Sequence, residues 1–369
     1  MIKLNTLLIE TKLKLTIPSD IKNIYKLFKK NNKQLYVVGG AVRDAILGKT
    51  PKDFDLATDA KPDEVLDIAK QGKFKTTEVG KSFGVVIVNG HEIATFRKDI
   101  GKGRRPSSVD YTDIKGDVKR RDLTINALFY DIGKGDIVDL VGGIADLKKK
   151  KIRTVGKPEE RFDEDPLRKL RAVRFSGSVG GKMSKETWSA LQKNPDISGV
   201  SSERIRDEFI KGIKKAKSVP VYLKMLRKLG MFKQIFPGLS ILHSNLKTND
   251  YKMQIAYMLH TNGADKVKSK LKGLKYHNQE THDIWLLIYM SRPIQVIQDL
   301  PSFKKLQSNS KLTTSQVKEW SKLNSKHIIK IWSWKLTVNA VDAKAKGWLG
   351  KGIGKYMREK EEELFLKYN

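Results

Sequence analysis

The chain has no cysteine in 369 residues, which excludes disulfides, thiolate metal sites and cysteine nucleophiles. Acidic residues are also in short supply. Against 73 Lys and Arg there are 41 Asp and Glu, a formal charge of +32 that exceeds what solubility requires. The natural partner of such a surplus is a polyanion, because each neutralised phosphate releases counterions. No apolar window is long enough to span a bilayer. Nor does any amphipathic helix set a basic face against a bulky apolar one, so nucleic acid is expected and a membrane is not. Met1 to Pro18 mixes Lys, Glu and Leu with no continuous apolar core and no small-residue cleavage site, unlike a signal peptide. The expectation is a soluble, cytoplasmic protein with no obligate protein partner.

What the chain does have is concentrated between Val37 and Thr58. Leu35-Tyr36-Val37-Val38 is a short apolar run of strand type that stops at Gly39-Gly40, where the backbone can turn sharply with no Cβ in the way. Ala41 to Leu47 has helical spacing and Gly48 to stop it. The glycine pair therefore falls at a helix N-terminus, whose free N–H groups and dipole favour a phosphate. Past Pro51, Asp53 and Asp55 are two residues apart, and on a strand both carboxylates point to one face. Two hard oxygen ligands side by side suit Mg²⁺, which keeps waters and shares its shell with substrate phosphates. A pair of such ions activates an attacking hydroxyl and neutralises a leaving pyrophosphate. A lone Gly-Gly or Asp-x-Asp is ordinarily a turn or a solvated edge; the order strand, glycines, helix, same-face carboxylates carries the reading.

Gly39-Gly40-Ala41-Val42-Arg43-Asp44 followed by Asp53-Phe54-Asp55 resembles the first motif of the polymerase-β-type nucleotidyltransferases, specifically the class II (bacterial-type) tRNA CCA-adding enzymes and their poly(A) polymerase relatives. The resemblance implies an α+β chain: an N-terminal nucleotidyltransferase head with a small mixed or antiparallel sheet and flanking helices, then an all-α neck, body and tail. The expected parts are a catalytic head over 1–147, a nucleotide-selecting neck over 148–218 and a tRNA-binding body and tail over 219–369. Carried over, Asp53 and Asp55 hold Mg²⁺, while Gly39, Gly40 and Arg43 cradle the triphosphate.

Phe83 to Val88 and Glu92 to Arg97 are strand-like runs joined by Asn89-Gly90, a strong hairpin signal. Glu92 then starts a strand able to lie beside Asp53 and Asp55. Either it completes the acidic triad of the similar Glu-x-x-Thr-Phe-Arg run, as metal ligand or general base, or it faces solvent at a hairpin end. Asp99 to Asp117, with its glycines and Arg104-Arg105-Pro106, is expected to be a mobile loop that closes over a phosphate site. Arg120-Arg121-Asp122-Leu123-Thr124-Ile125-Asn126-Ala127 resembles the second motif. Its adjacent arginines supply forked donors for phosphate or sugar, and Asp122 and Asn126, one helical turn apart, suit ribose hydroxyls. Ile137 to Val141 should close the sheet, with Gly142-Gly143 as a hinge, and Lys148 to Lys151 should be a solvated charge run.

Asp165-Pro166 reads as an N-cap and first helical position, after which Leu167, Leu170 and Val173 share a buried face. Asp165, Arg168, Arg171 and Arg174 are expected to climb the exposed side. A capping Asp with a solvated arginine ladder is the ordinary reading, yet arginines without acidic partners repel, and an anion or base edge would relieve them. The motif resembles the family's protein template. By that likeness Asp165 and Arg168 bond the Watson–Crick edge of CTP or ATP, and Arg171 and Arg174 hold base or triphosphate. Ser201 to Lys211 resembles the last shared motif and is expected to be structural, through pairs such as Glu203 with Arg206. Beyond Val219 the pattern is helical throughout. Tyr257 to His260 and His282-Asp283 do not assemble a hydrolytic metal centre, since the six histidines are too few and too scattered.

Taken together, these residues lead to a template-independent nucleotidyltransferase that adds CCA to tRNA 3′ ends from CTP and ATP. A poly(A) polymerase, or an enzyme adding only CC or only A, shares most of the motifs. A non-catalytic RNA-binding relative is the alternative of another class.

Overall fold

Short apolar runs, each ended by a glycine, asparagine or polar turn, build the sheet that positions the site. The computed structural model describes residues 11–12, 15–101, 108–242, 246, 248–292, 296–325 and 327–368. The chain divides into two compact units, Met1–Val200 and Ser201–Asn369. The first holds strands β1 (Thr11–Lys12), β2 (Leu35–Val38), β3 (Asp55–Thr58), β4 (Thr76–Thr77), β5 (Val85–Val88), β6 (His91–Thr95), β7 (Arg97–Ile100), β8 (Ser108–Tyr111), β9 (Leu128–Asp131) and β10 (Asp136–Asp139). Eight of these form one sheet in the order β1-β10-β9-β2-β3-β6-β5-β4. All its pairings are antiparallel except β3 with β6. The β5–β6 turn is as expected: Asn89 and Gly90 both have positive φ, at 48° and 85°, which matches the twist of the flanking strands.

The α-helices of this unit are α1 (Ser19–Lys30), α2 (Gly40–Ile46), α3 (Pro62–Gln71), α4 (Ile114–Arg120), α5 (Gly143–Lys148), α6 (Pro158–Glu164), α7 (Leu167–Val179) and α8 (Lys185–Lys193) among the described residues. In α1 only Ile21, Ile24 and Phe28 are buried, the narrow stripe of a helix lying on a core. Val38, Ala57, Phe96, Val118, Ala127 and Phe129 form one apolar cluster under the site. Within it Phe96 and Phe129 meet edge to face at 6.1 Å, an arrangement the ring quadrupoles favour.

Three expectations need correction. The segment Asp99 to Asp117 is not a loop throughout: β7 and β8 pair antiparallel, Lys98 opposite Asp110, and Asp113 caps α4 by accepting from the Gly116 amide at 2.9 Å. Residues 102–107, which include Arg104-Arg105-Pro106, lie outside the described residues. The glycine pair 142–143 is pinned rather than hinged. Asp139, fully buried, accepts from the amides of Val141, Gly142, Gly143 and Ile144 at 2.8–3.1 Å, and a Cβ on Gly143 would lie 2.2 Å from the Thr124 carbonyl oxygen. The strand ending at Asp139 is also not the sheet edge, because β1 pairs outside it. Among the helices of the expected neck, Lys151–Ile152 and Lys182–Met183 add one short parallel pairing.

The second unit is helical among the described residues, from α9 (Ser202–Lys215) and α10 (Val219–Lys228) to a final helix, Lys351–Tyr368. Ser201 caps α9, and Gly230 ends α10 in the left-handed region. Arg206 bonds Asp207 at 2.8 Å and the Lys275 carbonyl, not Glu203. His260 contacts the Tyr257 carbonyl and His282 that of Leu306. No helix among the described residues is long and apolar enough to cross a membrane.

Candidate active site

The sheet register gathers the glycine turn and the acids at one end. Val38 lies opposite Asp55, and Leu56 lies opposite Ile93 in the parallel pair, so Asp55 and Glu92 are neighbours immediately beside Gly39. Gly39 has φ 68° and ψ −117° and caps α2, a backbone that a side chain would strain. Its amide donates to the Leu128 carbonyl at 3.1 Å, which ties the turn to β9. Asp53 precedes β3 instead of lying within it, so the two-residue strand period does not orient it. Its charge still reaches Asp55. Asp55, Asp53 and Glu92 are all exposed to solvent; the protein packed around the base of Asp55 and the Glu92 charge nonetheless push its carboxyl above the ordinary range, Arg121 draws it back, and Asp53 adds to the rise. Crowded carboxylates of this kind are what a divalent cation relieves. Among the described residues no three His, Asp or Glu side chains form a ready-made metal cage. The set thus fits a cation bound by one or two carboxylates, with water and phosphate completing its shell.

Behind the turn lies a network of arginines, each held by a specific partner. Arg43 donates to Asp44 through Nε and Nη2 at 2.9 and 2.8 Å, and through Nη1 to Asn126 Oδ1 at 2.6 Å. Asn126 stands in a 3₁₀ turn, Thr124–Asn126, and its amide reaches Asp122 Oδ1 at 3.4 Å. Asp122 in turn accepts from Arg171 Nε at 2.6 Å and from the Leu123 amide at 2.7 Å. Burial opposes the Asp122 charge, but Arg171 and these donors hold its carboxyl below the usual range. Asp122 and Asn126 are therefore spent largely on the protein's own groups.

Arg120 and Arg121 do not stand as free forks. Both close on Asp117, at 2.7 and 2.9 Å, and Arg121 stacks over Phe129 at 4.5 Å. Burial works against the Asp117 charge, and Arg121 and Arg120 more than reverse it, so its carboxyl sits below the ordinary range. The ladder on α7 is likewise corrected. Arg168 and Arg171 are half-buried and Arg174 is 6% exposed. Arg168 pairs with Glu164 and donates to the Arg120 carbonyl at 2.9 Å, while Arg171 pairs with Asp122. The acids missing from the local sequence are supplied by the preceding turn and by a segment 49 residues away. Asp165 terminates α6 and accepts from the Leu167 amide at 3.2 Å, one position from the expected cap.

The predicted site residues fall into a connected set, a pair that lines a cavity, and Asp165 at the start of α7. Gly39, Gly40, Arg43, Asp53, Asp55, Glu92, Arg121, Asp122, Asn126, Arg171 and Arg174 belong to one connected set. Arg120 and Arg168 line a cavity of about 150 Å³, with Lys98, Asp99, Lys119, Arg161 and Glu164, and are joined to that set through the Asp117 that Arg120 shares with Arg121 and the bond from Arg168 to the Arg120 carbonyl. Sequence reasoning missed Asp117, Glu164 as an anchor, and Phe175. The Asp117 signal was available, since it precedes Arg120 and Arg121 by three and four residues on a helix.

With this geometry in place, comparisons locate the chain among known proteins. Residues 35–153 match the poly A polymerase head domain, and residues 181–242 match the probable RNA and SrmB-binding site of polymerase A. A CCA-adding enzyme of Bacillus licheniformis is 42% identical over 219 residues, 57% of this chain and 53% of that enzyme. Poly(A) polymerase I of Haemophilus influenzae is 32% identical over 267 residues, 68% of this chain and 58% of that one. The chain spans about half the length of the curated relatives it matches. The crystal structure of the Bacillus stearothermophilus CCA-adding enzyme in complex with CTP shares the fold, with TM-score 0.72 at 23% identity, covering 95% of this chain and 94% of that one.

Proposed function

We propose, from the match of residues 35–153 to the poly A polymerase head domain, that this chain is a template-independent tRNA nucleotidyltransferase that adds C, C and A from CTP and ATP. The observation that carries the reading is the register that sets Asp55 and Glu92 beside the Gly39 turn. Gly39, whose own amide is bonded to Leu128, shapes the turn, and Gly40 and Arg43 beside it receive the triphosphate at the start of α2. Asp53 and Asp55 hold the divalent ion, which we take as Mg²⁺; when bound it stabilises charge on the phosphates and lowers the pKa of the attacking hydroxyl. The tRNA 3′ oxygen forms the new bond to the α-phosphorus, its proton leaves to Glu92 or water, and the bond to the β-phosphate oxygen breaks to release pyrophosphate. Arg171 and Arg174 steady the nucleotide, and Asp165 with Arg168 selects its base. The working division is head 1–147, neck 148–218 and body with tail 219–369, in a cytoplasmic protein.

The test is incubation of purified protein with Mg²⁺, tRNA lacking its 3′ end, and each labelled NTP in turn. Incorporation of CTP and then ATP, with a stop, is expected. Continuous ATP tailing would favour the poly(A) reading that the Haemophilus likeness supports, CC or A alone a partial enzyme, and no incorporation an RNA-binding protein. Asp55→Ala should abolish transfer while tRNA affinity stays within about twofold, because one carboxylate contributes little to a backbone-dominated interface. Wild-type-like transfer in that variant would remove the metal assignment.

A further inference from the structure

Phe175 lies on α7 with 4% of its surface exposed, and three guanidinium groups gather on its ring. Arg174 is 3.9 Å from the ring centroid, Arg43 5.0 Å and Arg171 5.6 Å. Arg171 is four residues earlier on the same helix, so the two side chains share a face. Arg43 comes from α2, the helix that begins at the glycine turn. The ring is therefore a contact between the phosphate-facing helix and the helix proposed to select nucleotides. Hydrogen bonds close the same circuit from the other side, from Arg43 to Asn126, Asn126 to Asp122 and Asp122 to Arg171.

An aromatic ring has a property here that neither an acid nor an aliphatic side chain shares. Its face attracts cations through the quadrupole without carrying charge, so it gathers arginines without subtracting further from the field that Asp44 and Asp122 leave to Arg43 and Arg171. An acid in its place would cancel that field, and a leucine would fill the volume with no attraction. We propose that Phe175 is a positioning residue of the nucleotide site, its ring face gathering Arg43, Arg171 and Arg174 into one cluster that receives the triphosphate. The proposal rests on the nucleotidyltransferase reading for the identity of the ligand, while the cluster itself rests on the ring geometry.

The experiment uses the full chain with Phe175→Leu and with a graded series of fluorinated phenylalanines at position 175, which weaken the ring quadrupole at nearly constant shape. Binding of CTP and of inorganic tripolyphosphate is measured by calorimetry, and transfer by KM and kcat for nucleotide and for tRNA. Phe175→Leu should weaken tripolyphosphate binding by about threefold to thirtyfold, the span of exposed to desolvated cation–π contacts. KM for nucleotide should rise while KM for tRNA does not, and affinity should fall step by step with fluorination. Unchanged binding in Phe175→Leu, or a flat fluorination series, overturns the proposal and leaves Phe175 a packing residue. Should the wild type bind triphosphate yet transfer no nucleotide, the functional reading fails, and a graded fluorination response would still support the arginine-gathering role. Absence of any triphosphate binding by the wild type overturns both.

Discussion

Replacing Asp117 by Asn separates the electrostatic from the steric part of the arginine network. Asp117 is fully buried and accepts from Arg120 Nε at 2.7 Å and from Arg121 Nε and Nη2 at 3.1 and 2.9 Å. The variant keeps the shape, removes the only charge shared by both guanidiniums in these bonds, and turns an amide donor toward other donors. Breaking a buried ion pair at one partner costs about 3–5 kcal/mol. The Arg120 and Arg121 side chains retain 20% and 14% exposure and can turn toward water, so about 3 kcal/mol is the appropriate end of that range. For a unit of this size that corresponds to a fall in Tm of about 6–12 °C near neutral pH. The pH dependence fixes the sign. A carboxyl held below its ordinary range contributes stability that is complete above the unfolded value, about 3.9, and is lost as pH falls through the lower folded value. The gap between wild type and Asp117→Asn in thermal melts should therefore be constant from about pH 7 to 5 and shrink toward about pH 3. A gap that is unchanged at low pH, or a Tm within about 1 °C of wild type at neutral pH, would refute the charge-based account.

Gly143→Ala forces a Cβ to 2.2 Å from a backbone oxygen, so it should lower stability by about 2 kcal/mol or more, read as a Tm loss in the same melts. A variant as stable as wild type would mean that the turn yields. Gly39→Ala strains the turn at φ 68° by about 1–3 kcal/mol, and transfer should fall far more steeply than Tm because the backbone there faces the proposed triphosphate. Equal proportional losses would return Gly39 to a structural role. Asp165→Ala should cost about 1 kcal/mol as a lost helix-start bond to the Leu167 amide and admit UTP or GTP in competition assays; selectivity identical to wild type would leave it only that bond.

The glycine turn, the hairpin at Asn89-Gly90 and the Asp55 strand were legible because each is set by residues within a few positions: a φ that favours glycine, a two-residue turn, an apolar run ended by both. The β7–β8 hairpin was not legible. Its strands are made largely of polar residues such as Arg97, Lys98, Asp99 and Asp110, none of them buried, so no apolar period marks them, and the flanking glycines read as loop. Arg171 and Asp122 are far apart in the chain, and no local pattern announces a bond made only when α7 packs beside the second motif.

The same distinction bears on how arginines are read from sequence. Arg120, Arg121, Arg168 and Arg171 look like available phosphate forks in a chain of charge +32, yet each is bonded to Asp117, Glu164 or Asp122. A paired guanidinium is fixed in place at the expense of part of its field, and a buried acid that has lost its partner is costly. The acids therefore set where the arginines stand, and a nucleotide that engages Arg168 must compete with Glu164 for it. Arg43 is paired with Asp44 in the same way but is held in addition by a neutral amide and a neutral ring, Asn126 and Phe175, which orient it without neutralising it further. The helix that starts from Gly39 thus carries a guanidinium fixed from three sides, which is where the chemistry proposed for this head requires one.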